Sequence, residues 1–112
     1  MPVKRIHLVP VNSKEYGDEY NLNIELFINE NARPSGRMTS FGSMGGLAAK
    51  SQTEPFLLMA DGDMDFGSYF EQYRFATSNL MSGRPFIEGE LFTINYEEED
   101  IIYRVAKIYD PA

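Results

Sequence analysis

Three carboxylates, Asp61, Asp63 and Asp65, stand at alternate positions in the segment DGDMDFGSYFEQ. Hard cations such as Ca²⁺ and Mg²⁺ take oxygen ligands from Asp-rich loops of this kind. An EF-hand loop is not formed, for three reasons. Phe66 stands where the turn glycine belongs, Gln72 stands where the bidentate Glu belongs, and a strand-like run precedes the loop in place of a helix. What is left is a looser turn with Asp61, Asp63 and Asp65 as metal-ligand candidates. The plainer reading is a polar turn whose carboxylates favour the N-terminus of a following helix. The sequence requires no cofactor, and Ca²⁺ or Mg²⁺ at this turn is the inorganic ligand it suggests.

Arg33 and Arg37 flank Pro34, Ser35 and Gly36. Two guanidinium groups on one turn suit bidentate clamping of a carboxylate or phosphate; the plainer reading is a pair of solvated arginines. The glycine-rich stretch GSMGGLAAKS, residues 42–51, is not a phosphate loop. Ala49 precedes Lys50 where that loop needs Gly, and Pro55 with a strand-like run follows where it needs a helix. As a long loop it can carry contacts, with Met44 and Leu47 as adaptable apolar side chains. His7 is the single histidine and there is no cysteine, so one chain cannot assemble a zinc site of the usual nitrogen and sulfur type. Glu88 and Glu90, two residues apart, share a strand face if Gly89 does not bulge, but paired-carboxylate glycosidase chemistry needs a large cleft. No complete catalytic constellation is present, and the expectation is a protein that is not an enzyme.

The charge is unevenly spread. The chain has 112 residues and a formal charge of −7; residues 1–50 hold six basic and five acidic residues, and residues 51–112 hold four and 12. A nucleic-acid binder normally carries a basic stripe. None is visible, so direct nucleic-acid binding is not expected. The acidic residues Glu88, Glu90, Glu97, Glu98, Glu99 and Asp100 instead suit electrostatic docking of a basic protein partner, beside the blander role of keeping the chain soluble.

The elements that must position these groups follow from periodicity. Residues 3–11, VKRIHLVPV, read as a strand with an edge or bulge at Pro10. Residues 20–28 alternate strictly, with Tyr20, Leu22, Ile24, Leu26 and Ile28 on one face, and pair with the first strand across a turn at 12–18. Residues 38–41 suit a short strand, and the apolar run 55–60 a central one. Ser68 with Glu71 fits a capping box, and Tyr69, Tyr73, Ala76 and Leu80 recur at helical spacing up to Gly83 and Pro85. The pattern predicts a helix at about 68–81. Residues 91–96 and 101–109 form a hairpin around a four-residue loop, which pairs Tyr96 with Ile101 and Glu90 with Lys107. Its apolar face is Phe92, Ile94, Tyr96, Ile101, Tyr103 and Val105.

The expected fold is one α+β domain over residues 1–112. It has a mainly antiparallel sheet of five or six strands, flat or curled into a small open barrel, and one helix. No apolar run approaches the roughly 18–20 residues of a membrane span, and the expected compartment is the cytoplasm. The expected function is a small acidic interaction domain of the inhibitor, immunity or adaptor kind. The alternative is a small-molecule or divalent-cation binder using the Asp61–Asp65 turn or the Arg33/Arg37 loop. A small enzyme built on carboxylates and His7 ranks below both. The sequence leaves the oligomeric state open.

Overall fold

The alternation that marks residues 20–28 extends along the chain, and it closes on itself. A computed structural model describes residues 3–11, 21–34, 40–45, 54–67, 74–96 and 98–110. Its strands are β1 (Val3–Pro10), β2 (Leu22–Phe27), β3 (Ser40–Met44), β4 (Glu54–Leu58), β5 (Met64–Asp65), β6 (Phe75–Ser78), β7 (Leu91–Tyr96) and β8 (Glu99–Tyr109). Each pairs antiparallel with its neighbour in sequence, and β1 pairs with β8 to close the barrel. A bulge between His7 and Leu8 shifts the β1–β8 register. Bulges of this kind let a strand bend round a closed wall.

Inward positions fill the barrel. Ile6, Leu8, Leu22, Ile24, Leu26, Leu58, Met64, Ile94, Ile101 and Tyr103 are fully buried. Eight strands enclose a space that side chains can fill, and this interior is a packed apolar core. The segment between β6 and β7 covers one end. Its Leu80 and Phe86 are buried, the Phe86 amide donates to the Ala32 carbonyl at 2.7 Å, and the Phe86 ring stacks on Phe92 at 4.6 Å. Arg84 also lies over the Phe92 ring, 5.0 Å from its centroid, and ion-pairs with Glu90.

The α+β class, the five or six strands and the helix at about 68–81 are overturned. The fold is an all-β closed barrel of eight strands, with no helix among the described residues. Residues 75–78 form β6, with Ala76 buried between exposed Phe75 and Thr77. The physical reason is an ambiguity of period. A four-residue spacing such as Ala76 to Leu80 is one turn of a helix and also two repeats of a strand. The Ser68–Glu71 capping pair lies outside the described residues. Two strands were missed because β5 has only two residues and β6 only four, too short for a periodic signal.

The C-terminal hairpin keeps its predicted faces but not its predicted register. Tyr96 pairs with Glu99 and Ile94 with Ile101, so the loop has two residues rather than four. A slip of two residues leaves every side chain on its own face, and Phe92, Ile94, Tyr96, Ile101, Tyr103 and Val105 are all buried. Glu90 lies beside Val105 rather than Lys107, accepting the Val105 amide on its carbonyl at 2.9 Å.

Candidate functional site

The wall of the barrel opens between β4 and β5, which share two residue pairs. The turn joining them is a tight one: the Gly62 amide donates to the Met59 carbonyl at 3.0 Å and the Met59 amide to the Asp63 carbonyl at 2.8 Å. From there Leu58 pairs with Met64 and Leu57 with Asp65, and the ladder stops. The next bonded pair in this register would be Pro55 with Gly67. Pro55 has no N–H to donate, and the Gly67 amide turns to Asp65 Oδ1 at 2.8 Å. The strands part there, and the alternation of the ladder directs the Pro55 carbonyl into the gap.

The gap is a cleft of about 290 Å³, open to solvent and lined by Phe41, Gly42, Pro55, Phe56, Leu57, Asp65, Phe66 and Gly67. Its floor is aromatic. Phe56 and Phe66 are buried, with centroids 5.4 Å apart and planes tilted by 53°, and Phe66 continues to Tyr96 at 5.5 Å and 57°. Gly42 makes room for this floor. A Cβ at that position would stand 2.3 Å from the Asn23 carbonyl oxygen and 2.9 Å from the Phe56 ring.

The rim of the cleft belongs to a longer row. Successive cross-strand partners on the outer wall are Tyr109, Arg5, Glu25, Phe41, Leu57, Asp65 and Phe75, running from β8 through β1 to β6. Arg5 and Glu25 pair at 2.7 Å. Phe41, Leu57 and Phe75 are 58%, 46% and 63% exposed. Between the last two, Asp65 accepts from Arg74 Nε at 2.9 Å, and the Arg74 guanidinium lies 4.8 Å from the centroid of Phe75. Arg74 first, and the Gly67 amide second, hold the Asp65 carboxyl below its ordinary value.

The residues singled out in the sequence are placed elsewhere or already engaged. Asp61 Oδ1 accepts the Asp63 amide at 3.0 Å, Asp63 is exposed, and Asp65 is taken by Arg74 and Gly67. No group of three or more metal-ligating side chains forms among the described residues. Arg33 is exposed on a turn held by Asn29, and Arg37 lies outside the described residues. Met44 is an inward core residue of β3, 4% exposed, while Leu47 lies outside the described residues. His7 sits on the outer wall with Nδ1 3.0 Å from Asn23 Oδ1.

The acidic residues do not form one patch. Glu88 and Glu90 precede β7, while exposed Glu98, Glu99 and Asp100 lie at its far end. Six residues of strand separate the two groups, about 20 Å at some 3.3 Å per residue. Glu97 is outside the described residues.

The sequence hides Phe41, Leu57 and Phe75 in different ways: Leu57 sits in an apolar run that reads as core, Phe41 ends a short strand, and Phe75 falls within the predicted helix. The available signal was Pro55 at the head of its strand, a residue that cannot complete a ladder. No protein-family model, curated protein or solved structure matches the chain.

Proposed function

We propose that the chain is a non-enzymatic interaction domain that docks a basic protein partner on the outer wall of β3–β6. The observation that carries this reading is the register row that sets exposed Phe41, Leu57 and Phe75 on three strands of one face. Isolated exposed apolar residues are ordinary, but Phe41 and Leu57 are direct cross-strand partners, with Phe75 beyond the Asp65–Arg74 pair, and apolar surface gathered among polar groups marks interaction surfaces.

The charge argues for the kind of partner. Among the described residues four ion pairs, Lys4–Asp110, Arg5–Glu25, Arg74–Asp65 and Arg84–Glu90, each join one base to one acid. They leave the formal excess of −7 untouched. Asp63 stands exposed beside β5, and Glu98 and Glu99 stand at the same end of the barrel as Phe75. This surplus steers a basic surface toward the apolar row and opposes pairing with a second copy of the same acidic chain. Outward Arg5, Glu25 and Arg104 favour a water-facing wall over a lipid-facing one.

The reading is tested by capture from the native lysate with the wild-type chain and with the Phe75→Ser variant, followed by affinity measurement on each captured protein. A basic protein held by the wild type and bound at least about tenfold more weakly by the variant supports the reading. Equal affinity for both chains contradicts it.

A further inference from the structure

We infer that the cleft between β4 and β5 is an anchor pocket. It receives one aromatic side chain of the tryptophan type, carried on a Lys- or Arg-flanked segment of the docked partner. This inference rests on the docking reading above and names the chemistry it selects.

Position comes first. Phe41, Leu57 and Asp65 belong both to the exposed row and to the lining of the cleft. A partner lying along the row therefore covers the mouth, and a side chain of that partner is directed into it. Interfaces concentrate their affinity in such central pockets, and Trp, Tyr and Arg are enriched there.

The floor selects among those anchors. Phe56, Phe66 and Tyr96 already form a run of tilted rings at 5.4 and 5.5 Å, the spacing and tilt that aromatic pairs favour. A further ring entering above Phe56 and Phe66 extends that run. The rim offers an acceptor, because the ladder directs the Pro55 carbonyl into the gap. An indole brings one N–H donor on an apolar body, and so matches a mainly apolar cleft with an acceptor at its edge. Asp65 already has Arg74 and the Gly67 amide as partners, so an arginine anchor would have to compete with Arg74. The formal charge of −7 selects the flanking residues, since a segment with Lys or Arg beside its aromatic residue complements an acidic chain.

The chain itself contains no tryptophan, so a tryptophan on a probe reports its own environment. The probes are a nonapeptide with one central Trp between four Lys on each side, and the same peptide with Ala at the centre. Each is titrated into the full chain and into Leu57→Ser and Phe75→Ser, with Trp emission and calorimetry as readouts. The Trp peptide should bind the wild type at least about tenfold more tightly than the Ala peptide. Its emission should move to shorter wavelength. Leu57→Ser, which removes a wall of the cleft, should abolish that preference. Phe75→Ser, which lies on the row outside the cleft, should weaken the Trp peptide while leaving its emission shifted.

Equal binding of the two peptides, with affinity that falls as salt rises, would overturn the anchor pocket and leave the basic-docking reading standing. No binding of either peptide to the wild type would overturn both. A blue shift that survives in Leu57→Ser would place the indole somewhere other than the cleft, which also overturns the inference.

Discussion

Phe41 lies directly opposite Leu57 in the β3–β4 register, and both side chains face solvent, at 58% and 46% exposure. Two large apolar groups paired on the wet side of a barrel wall add little to the stability of the fold. Their inward neighbour Phe56, on the other side of the same strand, is 3% exposed. The two faces should therefore respond differently to substitution. Phe41→Ser and Leu57→Ser should each cost no more than about 1 kcal/mol, the scale of a cross-strand pair, whereas Phe56→Ala should cost about 3–5 kcal/mol. Urea unfolding of the three variants provides the comparison. A loss of several kcal/mol for Leu57→Ser would show that its side chain is buried in solution.

Two turns share one hydrogen-bond pattern but carry different residues at the left-handed position. In 29–33 the Ala32 amide donates to the Asn29 carbonyl and the Asn29 amide to the Arg33 carbonyl; in 59–63 Gly62 and Met59 play the same parts. Gly62 has φ 97° and Ala32 has φ 61°. A left-handed backbone costs a non-glycine residue about 1 kcal/mol or more. Ala32→Gly should therefore raise stability or leave it unchanged, because relief of strain offsets the added freedom of the unfolded chain. Gly62→Ala should lower stability by more than about 1 kcal/mol, since its Cβ would also stand 2.4 Å from the Ser78 carbonyl oxygen. Thermal melts of the two variants should move in different directions or by clearly unequal amounts.

Asp65 should contribute to the acid limb of stability. Arg74 and the Gly67 amide lower its folded-state pKa from the ordinary 3.8, so the folded chain binds this proton less readily than the unfolded chain does. Its contribution is fully present above the ordinary carboxylate range and is lost as pH falls through the lowered value. Arg74 is charged throughout and adds no pH dependence of its own. Compared with Asp65→Asn, the wild type should lose stability more steeply below about pH 4 and run parallel to it above about pH 5. Parallel curves at all pH values would show that the Asp65–Arg74 pair is not maintained in solution.

The Asp61–Asp65 turn should not respond to divalent cations. Asp65 is engaged by Arg74 and the Gly67 amide, so a cation would have to displace Arg74 to recruit all three carboxylates, and Asp61 and Asp63 alone make a weak site. Millimolar Ca²⁺ or Mg²⁺ should leave the melting temperature in place. A rise that saturates with cation concentration would instead mean preferential binding to the folded chain.

Much of the wall was legible in the sequence, because long strands with one buried face write their period plainly. Leu22, Ile24, Leu26 and Ile28, and Phe92, Ile94 and Tyr96, follow that rule, and each lies inward as expected. The closure was not legible, since nothing in the residues of β1 or β8 announces that those strands pair across the whole length of the chain. Nor was the cleft. It depends on a ladder that fails between Pro55 and Gly67, 12 residues apart, and on a two-residue strand that no periodicity can reveal. The run 55–60 suggested a central strand, yet Leu57 faces solvent, because composition does not show which wall of a barrel stays bare.

Docking on the outer wall of β3–β6 can be followed residue by residue through the amide chemical shifts of the isotope-labelled chain titrated with the Lys–Trp nonapeptide. The largest shifts should fall on Phe41, Gly42, Leu57, Asp65, Gly67 and Phe75 and should saturate together, with smaller, salt-sensitive changes at Glu98 to Asp100. Shifts confined to the Glu98–Asp100 tip, or to Glu88 and Glu90 at the opposite end, with the row silent, would contradict it.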